Sequence, residues 1–213
     1  MKQSRGLEIP ESLAETIRPN RAALIVYDMQ VGIVRQVANG SHVLSQVRKL
    51  LAAARDAGLR IFFLRHMSLP LEVAGVMQLR MAMAWQQVDR IEDIRPWFLR
   101  DTPGFAIAEE LAPRPSEVIF DKICFSAFEG TPLSIALRDC EVSVVVLCGI
   151  AMEIGIDLTA RHAVDLGFIP IVVEDACGFG DRAAALRAVE HLRFGGDTIL
   201  TNVDEVVEAL SLS

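Results

Sequence analysis

The sequence lacks a surplus of positive charge. Its 213 residues include 21 lysines and arginines against 28 aspartates and glutamates, so the formal net charge is −7 and the isoelectric point is about 5.1. Proteins that bind nucleic acid or anionic membranes need a basic surface, and this composition argues against both as partners. We expect a small-molecule substrate instead.

The sequence also lacks a long apolar run. Residues 1–20 carry scattered charges, unlike a signal peptide, and no later stretch is long enough to span a bilayer. We therefore expect a cytoplasmic protein whose first 20 residues form a polar lead-in with a short helix near residues 11–17. Because 52% of the residues are apolar, the chain can bury a full core, and we predict a single domain over residues 1–213.

Cysteine is scarce and shows no metal-binding spacing. The four cysteines form no CxxC pair and have no histidine nearby at ligand spacing. The sequence therefore predicts buried free thiols at Cys124, Cys140, Cys148 and Cys177.

Apolar strands alternate with helical patterns along the rest of the chain. Strands are predicted at residues 22–27, 59–64, 118–120, 144–148, 168–173 and 198–201. Helices are predicted at residues 41–57, 105–111, 132–137, 152–165, 183–194 and 203–210. This alternation predicts a three-layer α/β/α fold, Rossmann-like, in which a six-stranded parallel sheet lies between two helical layers.

Two charged side chains stand at the ends of predicted strands. Asp28 follows the first strand and Lys122 follows the third. Ligands of open parallel sheets bind at the carboxyl ends of the strands, so both could face a pocket together with residues 149–155. The alternatives are a turn or capping acid for Asp28 and a solvated surface charge for Lys122.

Residues 66–104 form a long irregular segment after the second strand. It contains the methionine-rich stretch VMQLRMAMAWQQ, followed by charged residues and two prolines. Segments of this kind shape binding sites or interfaces. Met77, Met81 and Trp85 have helical spacing, which favours a helix packed on the domain or on a second subunit over a substrate wall. The apolar surplus predicts a homodimer or larger homo-oligomer.

Three blocks carry a resemblance to a known family. They are ALIVYDMQ at 23–30, VIFDKICFSAFEGTPL at 118–133 and GIAMEIGIDLTARHAVDLGF at 149–168. Over residues 21–210 the chain resembles the isochorismatase-like hydrolases, also called cysteine hydrolases. The resemblance implies their fold and a site in which an aspartate, a lysine and a nucleophilic cysteine act on amides and related carbon–nitrogen bonds. It matches the first two to Asp28 and Lys122.

The family's nucleophile falls on Gly155, which has no side chain to attack a substrate. True isochorismatases resemble this sequence in having glycine there. The resemblance then implies vinyl-ether hydrolysis in which Asp28 is the general acid, Lys122 orients it, and Gly155 leaves room for substrate or water. Cys124 and Cys148 are poor substitutes, because neither stands at a helix start that would lower a thiol pKa. A catalytically silent protein that binds a small acid, and an amidase with another nucleophile, remain alternatives.

The implied role of Asp28 raises an electrostatic difficulty. A neighbouring ammonium lowers the pKa of a carboxyl, which opposes its use as an acid, so desolvation and substrate carboxylates would have to raise that pKa. Such a substrate would also need cationic partners. The candidates are Arg80, beside Gln78, and His66.

The remaining candidates surround the turn before the third block. Glu153 could face the substrate, but its charge at a helix N-terminus is the favoured role. The resemblance implies a cis peptide between Ile150 and Ala151 that presents an N–H to an oxyanion. Nicotinamidase-like relatives have an Asp-x-His metal cluster that residues 65–68 do not reproduce, so we expect no metal and no cofactor.

Overall fold

The computed structural model describes residues 1–212. Its strands are β1 Lys2–Ser4, β2 Leu7–Ile9, β3 Ala22–Tyr27, β4 Arg60–His66, β5 Val118–Lys122, β6 Val144–Ile150, β7 Ile169–Gly178 and β8 Ile199–Thr201. Its α-helices are α1 Leu13–Thr16, α2 Val31–Val34, α3 Gly40–Asp56, α4 Val76–Gln86, α5 Leu133–Asp139, α6 Asp157–Asp165, α7 Arg182–Gly195 and α8 Val203–Ser211. Short 3-10 helices cover Leu71–Val73, Ile91–Asp93 and Glu109–Leu111.

Six strands form one parallel sheet in the order β5-β4-β3-β6-β7-β8, as the sequence predicts. The central strand β3 is wholly buried, and its side chains alternate between the two faces. Leu24 and Val26 pack in the core beneath α3 and α8, whereas Ala23, Ile25 and Tyr27 pack beneath α5, α6 and α7. This two-sided burial explains why β3 is a continuous apolar run, and it confirms the three-layer fold.

The first residues differ from the prediction. Strands β1 and β2 form an exposed antiparallel hairpin, where the sequence predicts only a polar lead-in. Arg5 and Gly6 form its turn with φ of 50° and 80°, the left-handed values that tight hairpins use. Each strand has three exposed residues, too few to show an alternating pattern. The predicted short helix is α1, which Ser12 caps.

Several strands extend further than the sequence predicts at the edge where they end. The backbone ladders continue through polar positions, since Arg65 pairs with Asp121 and His66 with Lys122. The predicted strand stops at Cys148, but Gly149 lies within β6, opposite Tyr27. Its φ is 123°, and a Cβ there would overlap the carbonyl of Tyr27, so glycine permits this close pairing.

Two segments predicted as α-helices have a different structure in whole or in part. The helix predicted from residue 152 begins as a π-helical turn, Met152–Ile156, before α6. Residues 105–111 form a β-bridge and a 3-10 helix instead of an α-helix. Their backbone is used by the turn after β3: the N–H of Val31 donates to the carbonyl of Ala106, and that of Ala108 to the carbonyl of Met29. Within residues 1–212, no helix is long and apolar enough to cross a membrane.

Candidate active site

A cavity of about 320 Å³ lies at the edge of the sheet where β3, β4 and β6 end. The strand ends and the turns after them contribute both polar and apolar groups, and the segment after β4 contributes aromatic rings. The residues that line it are Tyr27, Asp28, Ile33, Gln36, Val37, His66, Trp85, Trp97, Phe98, Phe125, Ile150, Ala151, Ile154, Gly155 and Gly180. Pockets at this edge are expected of open parallel sheets.

Asp28 and Lys122 meet at this edge, as the strand ends predict. The ammonium of Lys122 donates to Asp28 Oδ2 at 2.8 Å, and the two side chains are 0% and 7% exposed respectively. Asp28 lies just beyond β3 with φ of 48°, a conformation that aspartate tolerates better than most residues. Its other oxygen, Oδ1, is buried and has no hydrogen-bond partner among residues 1–212. One carboxyl oxygen of Asp28 is therefore buried without a partner among these residues, next to the cavity that Asp28 lines.

Burial decides the proton affinity of this pair. It raises the pKa of Asp28 from 3.8 to about 6, although the charge and hydrogen bond of Lys122 act in the opposite direction. Burial also lowers the pKa of Lys122, against the effect of Asp28. The electrostatic difficulty raised by the sequence is thus met by desolvation, which outweighs the ammonium. Asp28 is half protonated near pH 6 and can donate a proton at neutral pH.

His66 lines the cavity but does not supply positive charge. Its burial, with a smaller contribution from Lys122, lowers the pKa of the imidazole to about 4, so the ring is neutral at pH 7. Its backbone is fixed by buried Gln30, whose amide donates to the carbonyls of His66 and Phe105 and accepts from the His66 N–H at 2.6 Å. His66 is therefore a neutral wall residue rather than the predicted cationic partner.

The space next to Gly155 is not free, contrary to the sequence-based expectation. A Cβ at this position would overlap the ring and hydroxyl oxygen of Tyr27. The Tyr27 hydroxyl donates to the carbonyl of Phe125, and the ammonium of Lys122 lies 4.1 Å from the ring centroid. Sequence reasoning missed Tyr27. Its signal was that the only tyrosine in the chain ends an otherwise aliphatic strand beside Asp28.

No cysteine among residues 1–212 lines the cavity. Cys148 and Cys177 are buried, and burial raises the pKa of both thiols well above the usual range for cysteine. Cys124 and Cys140 are half-buried. All four are free thiols, as predicted, but only two of them are fully buried.

Three other candidates lie away from the cavity lining. Glu153 accepts from the backbone N–H groups of Gly180 and Asp181 at 2.7 and 2.9 Å, just before α7 begins, so it holds a neighbouring loop instead of its own helix start. Gln78 donates to the carbonyl of Ile123. Arg80 lies on the exposed side of α4. None of these three residues is among those that line the cavity.

The aromatic wall comes mainly from residues 66–104, the irregular segment after β4. Trp85, near the end of α4, stacks on Phe125 with centroids 5.9 Å apart and lines the cavity, although its spacing with the methionines had favoured helix packing. Phe98 meets His66 edge-on at 5.9 Å and Trp97 at 6.2 Å. Trp85 of α4 therefore packs on the domain, the favoured interpretation, and is also a cavity wall.

The turn after β6 completes the site. The peptide between Ile150 and Ala151 is cis, as the resemblance implies, and both residues line the cavity. The carbonyl of Ala151 accepts from the N–H groups of Ile154, Gly155 and Ile156, which forms the π-helical turn. No three His, Cys, Asp or Glu side chains within residues 1–212 are grouped so that they could hold a metal ion.

Comparison with known proteins agrees with this geometry. The Isochorismatase domain model matches residues 22–203. The isochorismatase family protein YecD of Escherichia coli O157:H7 is 28% identical over 199 residues, covering 88% of this chain and 95% of YecD. The ureidoacrylate amidohydrolase RutB of Cronobacter sakazakii is 29% identical over 182 residues, 78% of each chain. A cysteine hydrolase structure from Pseudomonas syringae has a TM-score of 0.79 at 26% identity, covering 93% of this chain and 96% of that one. The chain therefore belongs to the isochorismatase family and is a hydrolase of the isochorismatase-like α/β fold.

Proposed function

We propose that this hydrolase cleaves a small vinyl ether with Asp28 as the general acid and without a covalent enzyme intermediate. The observation that carries the proposal is that the Tyr27 side chain occupies the space where a nucleophilic side chain at position 155 would lie. No thiol among residues 1–212 lines the cavity. The nearby acid, Asp28, has a buried carboxyl oxygen without a partner among the same residues and a raised pKa.

The proposed reaction needs an acid and water only. Asp28 donates its proton to the terminal carbon of the double bond, and the ether oxygen stabilises the resulting cation as an oxocarbenium ion. Water adds to the carbon that bears the ether oxygen and returns a proton to the Asp28 carboxylate. The hemiketal so formed breaks into an alcohol and a carbonyl compound. A carboxyl with a pKa near 6 suits this step, because an appreciable fraction is protonated at neutral pH and the acid remains strong enough to react.

The walls of the cavity indicate the class of substrate. Aromatic and aliphatic side chains dominate, and none of the lining residues within 1–212 is a lysine or an arginine. Lys122, behind Asp28, is the nearby cation. A molecule with two carboxylates would leave one of them desolvated without a partner, at a cost of several kcal/mol. We therefore propose a planar, mainly apolar vinyl ether with a single carboxylate.

A suitable probe is 2-phenoxyacrylate, an aromatic vinyl ether with one carboxylate. Its hydrolysis gives phenol and pyruvate, and pyruvate is followed by its reduction with lactate dehydrogenase and NADH. We expect turnover that survives blocking of the protein's accessible thiols with N-ethylmaleimide, added and removed before the assay. Cys148→Ala, a change in the core away from the cavity, should also retain turnover.

Two outcomes would contradict the proposal. Loss of turnover in proportion to thiol modification would indicate a cysteine nucleophile. Absence of pyruvate, with release of ammonia from ureidoacrylate, would show carbon–nitrogen hydrolysis, the activity named for RutB. No reaction with either probe would contradict vinyl-ether hydrolysis of this class and favour a protein that only binds a small acid.

A further inference from the structure

We infer that Tyr27 and Gly155 form one matched pair, in which the tyrosine ring takes the space of a side chain at position 155 and positions the ammonium of Lys122 beside Asp28. Tyr27 is thus a positioning residue. The effect of Tyr27 on the reaction rests on the proposed function, but the steric pairing with Gly155 and the positioning of Lys122 do not.

The steric half of the inference depends on which atoms exclude a side chain at position 155. The three atoms nearest to a Cβ there are Oη, Cζ and Cε1 of Tyr27. The φ of Gly155 lies outside the left-handed region, so its backbone accepts any residue, unlike that of Gly149. The ring of Tyr27, and not local conformation, therefore requires glycine here.

The ring is held in place by contacts on several sides. Tyr27 is 2% exposed, and its hydroxyl donates to the carbonyl of Phe125, just beyond β5. Burial raises the pKa of the phenol well above its usual value, so the hydroxyl remains protonated and keeps its role as a donor. The ring cannot turn away from Gly155 without losing the Phe125 bond and its burial. The overlap with a side chain at 155 is therefore not relieved by a rotamer change.

The positioning half depends on the face of the same ring. The ammonium of Lys122 lies 4.1 Å from the ring centroid and donates to Asp28 at 2.8 Å. Lys122 is a long, flexible side chain, and these two contacts fix its end between the aromatic face and the carboxylate. A residue without an aromatic face at position 27 would leave the ammonium with the Asp28 contact alone.

The steric pairing is tested by a double-mutant cycle in the full-length protein. Gly155→Cys should lower the thermal midpoint by roughly 3–10 °C in the native background, because the core must accommodate an overlapping side chain. In a Tyr27→Val background the same change should cost much less or raise the midpoint. The thiol at 155 should then react with Ellman's reagent.

Gly180→Cys is the matched control. Residue 180 lines the same cavity, but a Cβ there would meet only Glu153 Oε1, at 3.2 Å. Its effect on the midpoint should therefore add to that of Tyr27→Val. Additive behaviour of Gly155→Cys and Tyr27→Val would overturn the pairing.

The positioning role is tested by the titration of Asp28, followed by NMR in protein with ¹³C-labelled aspartate carboxyls. Tyr27→Phe keeps the aromatic face and should leave the midpoint near 6. Tyr27→Leu keeps the surroundings apolar but removes the face, so the ammonium that lowers this pKa loses its fixed place. The midpoint should rise by about one unit. Equal midpoints in both variants would overturn the positioning role, since a merely structural tyrosine would not move them.

Neither the double-mutant cycle nor the titration of Asp28 requires a substrate. A negative result with 2-phenoxyacrylate would leave the pairing and the positioning standing, and additive stabilities would leave the proposed reaction standing. The two proposals can therefore fail independently.

Discussion

Asp28→Asn is expected to lower the turnover of 2-phenoxyacrylate by roughly 10²–10⁴-fold, the usual contribution of a positioned general acid. The amide has nearly the size of the carboxyl and fits the same space beyond β3, but it cannot donate a proton of comparable acidity. The loss should appear in kcat more than in KM, because the proton is transferred only in the reaction step. Steady-state kinetics by pyruvate release measure both.

Asp121→Asn is the matched control for this experiment. Asp121 adjoins Lys122 on β5, but its carboxylate bonds to Arg65 at 2.7 Å and to Arg100 at 3.0 Å, outside the cavity. This variant should retain turnover within a few fold. If Asp28→Asn retained about as much turnover as Asp121→Asn while remaining folded, Asp28 would not be the acid.

Lys122→Met is expected to lower the free energy of unfolding by about 2–3 kcal/mol near pH 8, because Asp28 is then buried without its cation and must bind a proton about two pH units above its native pKa of about 6. Lys122 lowers the pKa of Asp28, so without it this pKa rises further above 6. A carboxyl whose pKa is higher in the folded state than in the unfolded state makes its full contribution to the free energy of unfolding only at pH values below the unfolded-state pKa. That contribution is lost as pH rises through the folded pKa. The defect should therefore be small near pH 4.5 and large near pH 8, as urea unfolding at both pH values would show.

The double variant Asp28→Asn/Lys122→Met separates charge from packing. It removes both charges, so most of the loss near pH 8 should be recovered and the remaining difference from the native protein should depend little on pH. A Lys122→Met defect of equal size at both pH values would indicate lost packing alone, and would contradict an Asp28 whose proton affinity is controlled by burial and by Lys122.

The sheet could be predicted because its central strands carry strong local signals. Strands β3 and β6 are buried on both faces, so their sequences are continuous apolar runs that few other structures explain. The hairpin of β1 and β2 left no such signal, since all six of its strand residues are exposed. Residues 105–111 have a helical composition, but their backbone groups bond to the turn after β3, a contact that composition does not encode.

The candidate site could be predicted in part. Asp28 and Lys122 follow from the position of strand ends, which converge in any parallel sheet. The balance between burial and the ammonium could not be predicted, because it depends on how completely the pair is enclosed. The contact of Tyr27 with Gly155 joins two segments far apart in the chain, so neither residue alone indicated it. Arg80 was a reasonable candidate by charge, but the helix that carries it directs it to the exposed side.

Hydrolysis of 2-phenoxyacrylate in D₂O tests the central claim most directly, because the proton that Asp28 places on carbon comes from solvent. We expect kcat to be clearly lower in D₂O than in H₂O, because transfer of the Asp28 proton to carbon limits the rate, while the intact mass of the protein, followed by mass spectrometry, stays unchanged during turnover. An equal kcat in the two solvents, or a protein whose mass increases by a bound fragment of the substrate, would contradict acid catalysis by Asp28 without a covalent intermediate.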